Sequence, residues 1–177
     1  KIKDKLSDTF LLLNADSIFD IDFNRFVNYH KQKGGLATIF THPNSHPFDS
    51  GLITVDANNC VTSWLNKEDA RPMYYKNRVN AGLHILEKRL LDVEINTPKI
   101  DLDRQILKPL QNKGVLYAYD SPEYVKDMGT PERYMLVSKD FENKIVQKWN
   151  LRNKQKAIFL DRDGTINKYV GFLINIA

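Results

Sequence analysis

The sequence predicts an α/β fold, in which a mixed, mainly parallel β-sheet is flanked by helices. Residues 9–15 (TFLLLNA) form an apolar run that ends at Asp16, as expected of a buried parallel strand. A helical pattern follows, and then a second apolar run at residues 36–40 (LATIF). A strand, a helix and a strand in this order form a crossover unit whose two strands are parallel.

The first helix is expected between Asp22, a suitable N-cap, and Gly34, because aromatic and apolar side chains recur at helical spacing between them. Residues 51–55 and 60–65 are strand-like and are joined by turn-forming residues, which indicates a β-hairpin. The stretch 67–76 has little periodicity and is predicted to be a loop.

The second half of the chain begins with a predicted strand at residues 79–86 and a short helix at residues 88–92. Residues 101–112 form an amphipathic pattern that Gly114 ends, which predicts a helix. The next predicted strand follows at residues 115–119.

Thr130 and Pro131 mark another helix start, because threonine is a good N-cap and proline fits the first helical position. Helical patterns continue to residue 149, and residues 157–160 (AIFL) indicate a new buried strand. The expected organisation is an incomplete domain at residues 1–149, a linker at residues 150–155, and the incomplete start of a second domain at residues 156–177.

Composition limits the classes of protein to which the chain can belong. With 42% hydrophobic and 27% charged residues among 177, it has the profile of a globular domain. No apolar run is long enough to span a bilayer and no nucleic-acid-binding motif occurs, so neither partner is expected. Cys60 is the only cysteine, which excludes an internal disulfide and favours a cytoplasmic location. The net charge of +4 fits either anionic substrates or a solvated lysine-rich surface.

Two carboxylates occupy positions that suit a ligand site. Asp16 follows a predicted strand, at the edge where open α/β sheets bind ligands. Asp127 precedes a Gly-Thr-Pro turn that holds it at a helix entrance. Together they could share a magnesium ion, which prefers carboxylate and phosphate oxygens. Taken alone, Asp16 could instead satisfy loop amides or cap a turn.

Three motifs occur in the order seen in the sugar-nucleotide pyrophosphorylase family, which the chain resembles over residues 4–140. They are Leu-Asn-Ala-Asp at residues 13–16, Val-Asn-Ala-Gly at residues 79–82 and Asp-Met-Gly-Thr-Pro at residues 127–131. The resemblance implies the nucleotide-diphospho-sugar transferase fold, with Mg²⁺ held by Asp16 and Asp127.

By the same resemblance, five further residues belong to a sugar-phosphate site. Asn80 and Gly82 are expected to line the sugar pocket, and Gly51 to lie near the sugar or its phosphate. Asp103 stands where the family often has an acid that binds sugar hydroxyls. Lys67 corresponds to a lysine that grips the sugar phosphate, although its neighbours differ from the family's Glu-Lys-Pro signature. The alternative for this residue is a solvated loop lysine.

The implied reaction is attack of a sugar-1-phosphate oxygen on the α-phosphorus of a nucleoside triphosphate, with release of pyrophosphate. The family's glycine-rich loop for the triphosphate, Gly-x-Gly-Thr-Arg-Leu, does not occur in this chain, and Ala15 stands where glycine is usual. We therefore expect the N-terminal part of the fold to be missing, and predict that this polypeptide alone does not catalyse the transfer.

A second motif, at residues 159–166 (FLDRDGTI), resembles the first motif of the haloacid-dehalogenase-like phosphatases. The resemblance implies that Asp161 is a nucleophile, that Asp163 is a general acid/base, and that both help to bind magnesium. The later motifs of that family do not occur before Ala177, so this site is also expected to be incomplete. A chance acidic turn is the alternative.

The order of the two resemblances is similar to that in bifunctional proteins of heptose activation, whose transferase half is related to mannose-1-phosphate guanylyltransferases. It implies GTP and a hexose- or heptose-1-phosphate as substrates. Two alternatives are a non-catalytic module that binds sugar phosphates and a sugar-bisphosphate phosphatase with a transferase-like scaffold. An incomplete sheet exposes strand edges and apolar surface, so either association, for which a homo-oligomer is one option, or poor solubility is expected unless a partner covers them.

Overall fold

The computed structural model describes residues 3–44, 50–92 and 99–168. The strands within these ranges are β1 (Thr9–Leu13), β2 (Ser17–Asp20), β3 (Ala37–His42), β4 (Leu52–Val55), β5 (Val61–Leu65), β6 (Val79–Glu87), β7 (Leu116–Asp120) and β8 (Tyr124–Asp127). The α-helices are α1 (Phe23–Lys33), α2 (Pro131–Glu142) and α3 (Ile145–Trp149). Short 3-10 helices lie at Lys3–Lys5, Lys88–Leu91 and Lys108–Leu110, and a π-helix lies at Leu102–Leu107.

Six strands form one mixed sheet in the order β5-β4-β6-β3-β7, and β1 also pairs with β6. The α/β class, with a mixed sheet and flanking helices, is confirmed. β1 and β3 both run antiparallel to β6 and are therefore parallel to each other. The predicted crossover unit is thus present, with β6 lying between its two strands.

The prediction of a mainly parallel sheet needs correction, because β3 and β7 are the one parallel pair among the described strands. β6 runs antiparallel to β1, β3 and β4, and the predicted hairpin of β4 and β5 is also antiparallel. The described connection from β3 to β6 carries a hairpin and a loop. A strand returns parallel to its neighbour only through a long crossover, usually a helix, so β6 returns antiparallel.

Apolar side chains cover both faces of this sheet, because neighbouring residues of a strand point to opposite faces. On one face, Phe26 of α1 packs edge-on against Phe40 with ring centroids 5.5 Å apart, in a cluster that includes Leu83. On the other face, Leu86 shares a cluster with Leu107 from the π-helix. Full burial of a side chain such as Phe26 stabilises the fold by about 1.5–3 kcal/mol.

The predicted helix ends are confirmed where capping residues define them. Asp22 accepts a hydrogen bond from the amide of Arg25 at 3.2 Å, and Gly34 ends α1 with a φ of 63°. Thr130 caps α2 by accepting from the amide of Arg133 at 3.3 Å. The amphipathic segment at residues 101–112 differs from the prediction, since a π-helix and a 3-10 helix replace one α-helix. Pro109, which lacks an amide hydrogen, prevents a continuous α-helix there.

β1 is not the buried parallel strand that its sequence predicts. It pairs antiparallel with β6, and its side chains alternate between half-buried and exposed. Leu11 and Leu13 remain 41% and 45% exposed. Among the described strands β1 pairs with β6 alone, so its other edge is not covered by a described strand and its apolar run is only partly buried.

A second sheet, of two four-residue strands, was not predicted. β2 and β8 pair antiparallel, with Ser17 opposite Asp127 and Asp20 opposite Tyr124. The side-chain amide of the buried Asn150 donates to the half-buried Asp20 at 2.5 Å, so the predicted linker at residues 150–155 begins with a contact to this sheet. The small sheet is therefore joined to the segment that follows α3.

Residues 157–160 do not form the predicted buried strand. They have no regular secondary structure, and Ile158 and Phe159 are 84% and 94% exposed. A strand is stable only when it is paired, and no described strand lies beside this segment. In the part of the chain that the structure describes, no helix has the length and apolar character needed to cross a membrane.

Candidate functional site

A cavity of about 920 Å³ lies where the main sheet, the small sheet and the π-helix meet. Seven of the residues predicted to form a metal and sugar-phosphate site line it together: Asp16, Gly51, Lys67, Asn80, Gly82, Asp103 and Asp127. Asp161 and Asp163 are not among its lining residues. The structure thus brings the predicted metal and sugar-phosphate residues together in one cavity. The two aspartates of the C-terminal motif lie outside that cavity.

The two carboxylates expected to share a metal flank one glycine. The amide of Met128 donates to the carbonyl of Asp16 at 2.7 Å, which extends the pairing of β2 with β8. The amide of Gly129 donates to Asp127 Oδ1 at 2.5 Å. A Cβ on Gly129 would stand 3.0 Å from Asp127 Oδ1 and 3.7 Å from Asp16 Oδ2. Two exposed carboxylates therefore face a common space that a larger residue would narrow.

Arg133 adds a positive charge to this end of the cavity and was not predicted as a site residue. Its Nη1 donates to Asp127 Oδ2 at 2.7 Å, and it lines the cavity. The signal in the sequence is its position in the first turn of the helix that begins at Pro131. Side chains from the first turn of a helix point back toward its N-terminus, where Asp127 lies. Both oxygens of Asp127 are thus oriented by hydrogen bonds.

These residues fit a magnesium ion. In the described ranges no group of three or more His, Cys, Asp or Glu side chains is arranged to hold a metal. A pair of carboxylates nevertheless matches Mg²⁺, which is commonly bound through one or two carboxylates together with water and substrate phosphates. Asp16 and Asp127 are the residues that would hold it.

A second set of polar contacts in the cavity lining links Asn80, Gly82 and Asp103. Asn80 donates through Nδ2 to Asp103 Oδ2 at 3.0 Å, and its Oδ1 accepts from the amide of Gly82 at 3.1 Å. Burial raises the pKa of Asp103, nearby Asp101 raises it further, and the hydrogen bond from Asn80 opposes both effects. Amide and carboxyl groups held in this way suit the recognition of sugar hydroxyls.

Gly51 and Lys67 lie on the wall formed by the β-hairpin and its following loop. A Cβ on Gly51 would stand 2.9 Å from Trp64 Nε1, so this position leaves little room for a side chain. Lys67 is exposed and makes no hydrogen bond or ion pair with any residue that the structure describes. Its neighbour Glu68 pairs with Arg104 at 3.5 Å. Lys67 is therefore a cation available to an anionic ligand.

The C-terminal acidic motif forms an exposed turn. Asp163 accepts from Arg162 Nε at 2.8 Å and from Arg162 Nη2 at 3.1 Å, and this ion pair lowers the pKa of the Asp163 carboxyl. Gly164 has a φ of 84°, a backbone conformation that favours glycine. Asp161 is exposed. The turn does not contribute to the cavity.

Comparison with known proteins gives a family match over most of the chain. The model of the nucleotidyl transferase family matches residues 1–144. Mannose-1-phosphate guanylyltransferase catalytic subunit beta from Drosophila melanogaster is 26% identical over 129 residues, which are 73% of this chain and 34% of that protein. The chain thus spans about a third of the length of this relative.

Solved structures share the fold at low sequence identity. HddC from Yersinia pseudotuberculosis complexed with GMP-PN has a TM-score of 0.61 and 22% identity, covering 79% of this chain and 60% of that one. A putative glucose-1-phosphate thymidylyltransferase from Bacillus anthracis, in complex with a sucrose, has a TM-score of 0.62 and 16% identity. That match covers 88% of this chain and 60% of the other.

Proposed function

Because the chain belongs to the nucleotidyl transferase family, we propose that the whole protein transfers a nucleotidyl group from a nucleoside triphosphate to a sugar-1-phosphate and releases pyrophosphate. One observation carries the proposal. The exposed carboxylate pair and the polar sugar-binding candidates line the same cavity, although they come from distant parts of the sequence. A cavity of about 920 Å³ is also large enough for two such substrates.

The proposed substrates are GTP and a hexose- or heptose-1-phosphate, with a manno-configured sugar favoured. The similar protein from Drosophila melanogaster is a mannose-1-phosphate guanylyltransferase subunit, and one structural neighbour was crystallised with GMP-PN. The order of the sequence motifs supports the same choice. Base and sugar selectivity are both open to direct competition assays.

Different groups in the cavity would bind the nucleoside triphosphate and the sugar-1-phosphate, which are both negatively charged. Mg²⁺ held by Asp16 and Asp127 would offset the negative charge of the phosphates. Lys67 would contact the sugar phosphate, and Asn80 with Asp103 would bind sugar hydroxyls. The phosphate oxygen of the sugar is already a nucleophile, so catalysis consists of alignment and charge stabilisation.

The sugar-phosphate candidates that line the cavity also suit a second candidate function, a non-catalytic module that binds sugar phosphates. The same cavity would serve that role. Pyrophosphate release by the whole protein, with GTP and mannose-1-phosphate, decides between them. Release that depends on both substrates and is lost in Asp127→Asn supports the transferase. Binding of mannose-1-phosphate without release of pyrophosphate, whichever nucleoside triphosphate is added, supports the binding module.

A further inference from the structure

His84 is a buried polar residue for which the proposed reaction gives no role. It lies in β6 with 1% exposure, opposite Leu12 of β1 and Ile39 of β3. Neither ring nitrogen has a hydrogen-bond partner among the residues that the structure describes. A neutral imidazole always carries one donor and one acceptor, and neither group of His84 is paired with a described residue.

Such an arrangement is unfavourable unless a partner becomes available. A buried donor without an acceptor loses its hydrogen bonds to water and gains none in return. Leucine would fill an apolar site between Leu12 and Ile39 without that cost. A histidine at this position therefore points to a partner that approaches in another state of the protein.

The side chain of Asp103 is placed to be that partner. Its Oδ1 lies 3.8 Å from His84 Nε2, which is less than 1 Å beyond the usual hydrogen-bond distance. Its Oδ2 accepts from Asn80, and the carboxyl group lines the cavity. Asp103 thus stands between the buried histidine and the space proposed for the sugar.

The segment that carries Asp103 is unusual. Leu102–Leu107 is a π-helix, a rare conformation that appears mostly in single turns and is frequent at functional sites. Asp101 caps it by accepting from the amide of Arg104 at 2.9 Å. A small displacement of this turn toward β6 would bring Asp103 within hydrogen-bond distance of His84.

We propose that His84 is a positioning residue for sugar recognition, whose Nε2–H donates to Asp103 Oδ1 when a sugar hydroxyl binds the same carboxylate. This inference rests on the proposed function and adds to that site a residue that would orient the sugar-binding carboxylate. A carboxylate can accept several hydrogen bonds, so donors from His84 and Asn80 would fix the direction of its remaining lone pairs. Asp103 would then select hydroxyls by their orientation. The burial of His84 keeps its ring neutral, with the pKa lowered to about 4, and the ring can therefore carry one proton on Nε2.

The test compares two ligands and two variants of the whole protein by titration calorimetry. For α-D-mannose-1-phosphate we expect about tenfold weaker binding to His84→Leu, the loss of one charge-assisted hydrogen bond. His84→Gln retains a donor and should bind within about threefold of the wild type. Inorganic phosphate, which lacks the hydroxyls, should bind all three proteins equally.

Nuclear magnetic resonance of the wild type supplies a second readout. With ¹⁵N-labelled histidine, mannose-1-phosphate should shift the Nε2 proton of His84 downfield and slow its exchange, whereas inorganic phosphate should not. Unchanged His84 signals together with equal affinity in His84→Leu would overturn the inference and leave the proposed function intact. If the wild type binds no sugar phosphate at all, the proposed function fails and the inference fails with it. Should His84→Leu not fold, the wild-type spectrum and His84→Gln decide.

Discussion

The side chain of Asn14 occupies the space beside Gly82 that any larger residue would need. A Cβ on Gly82 would stand 2.2 Å from Asn14 Nδ2, and the backbone amide of Asn14 donates to the carbonyl of Gly82 at 2.9 Å. Gly82 also has a φ of 74°, which side chains rarely tolerate. The two motifs that contain these residues are therefore joined by direct contact at the edge of the cavity.

Replacing this glycine should be costly for that reason. We expect Gly82→Ala to lower the free energy of unfolding by about 2–4 kcal/mol, from the positive φ and the contact with Asn14 together. Gly114→Ala is the matched control, because Gly114 has a φ of 70° but nothing within 4 Å of its Cβ position. Urea denaturation measures the free energy of unfolding of both variants. Equal losses in the two variants would show that the contact with Asn14 has no energetic effect.

The carboxylate pair should be essential for transfer by the whole protein. Asp16→Asn and Asp127→Asn each remove a negative charge from the proposed metal site, and we expect more than about a hundredfold loss of pyrophosphate release with folding largely intact. Removal of divalent metal by EDTA should have the same effect on the wild type. Asp163→Asn, in the exposed turn outside the cavity, is the control and should release pyrophosphate at the wild-type rate. Wild-type rates in either cavity variant would exclude the metal assignment.

Lys67 should act on the sugar phosphate. Since it has no described partner, its charge is free to meet a phosphate, and Lys67→Ala should raise the KM for the sugar-1-phosphate by about tenfold or more. The KM for the nucleotide should change little. Lys139→Ala removes an exposed lysine of α2 that does not line the cavity, and should leave steady-state kinetics unaltered. A normal KM in Lys67→Ala would favour the solvated loop lysine.

The buried histidine should make stability depend on pH. Burial lowers the pKa of His84 from 6.5 to about 4, so between these values the unfolded chain binds a proton that the folded chain does not. Stability should therefore fall as pH decreases from about 6.5 to 4, by about 3 kcal/mol from this group. Carboxylates contribute in the same range, and subtraction of the His84→Leu curve removes their effect. Parallel curves for the two proteins would contradict this prediction.

Local signals in the sequence predicted much of the fold. Asp22, Gly34 and Thr130 act through bonds to residues a few positions away, so the helix ends that they define are readable from the sequence. The antiparallel orientation of β6 was not predicted, because it depends on a connection whose path the sequence pattern does not specify. The strands β2 and β8 were missed since each has only four residues and pairs with a distant segment.

The candidate site was predictable where motifs mark it. The predicted metal and sugar residues line one cavity, and this follows from motifs at the ends of β1, β6 and β8. Arg133 and His84 were missed for different reasons. Arg133 carries only a weak signal, its place near the start of α2, and the fold is needed to show that it reaches Asp127. His84 was missed because it stands out only by being buried without a described hydrogen-bond partner, which a sequence pattern cannot reveal.

The pairing of β2 with β8 has a consequence for how the protein folds. Glu123, just before β8, accepts from the amide of Asp22 across 101 positions of sequence, and Asn150 reaches Asp20 across 130. Closing loops of this size is slow and entropically unfavourable, so the small sheet should assemble after the β-hairpin and α1. Both proposed metal ligands flank these contacts. Local opening of two short strands would separate them while the main sheet stays folded.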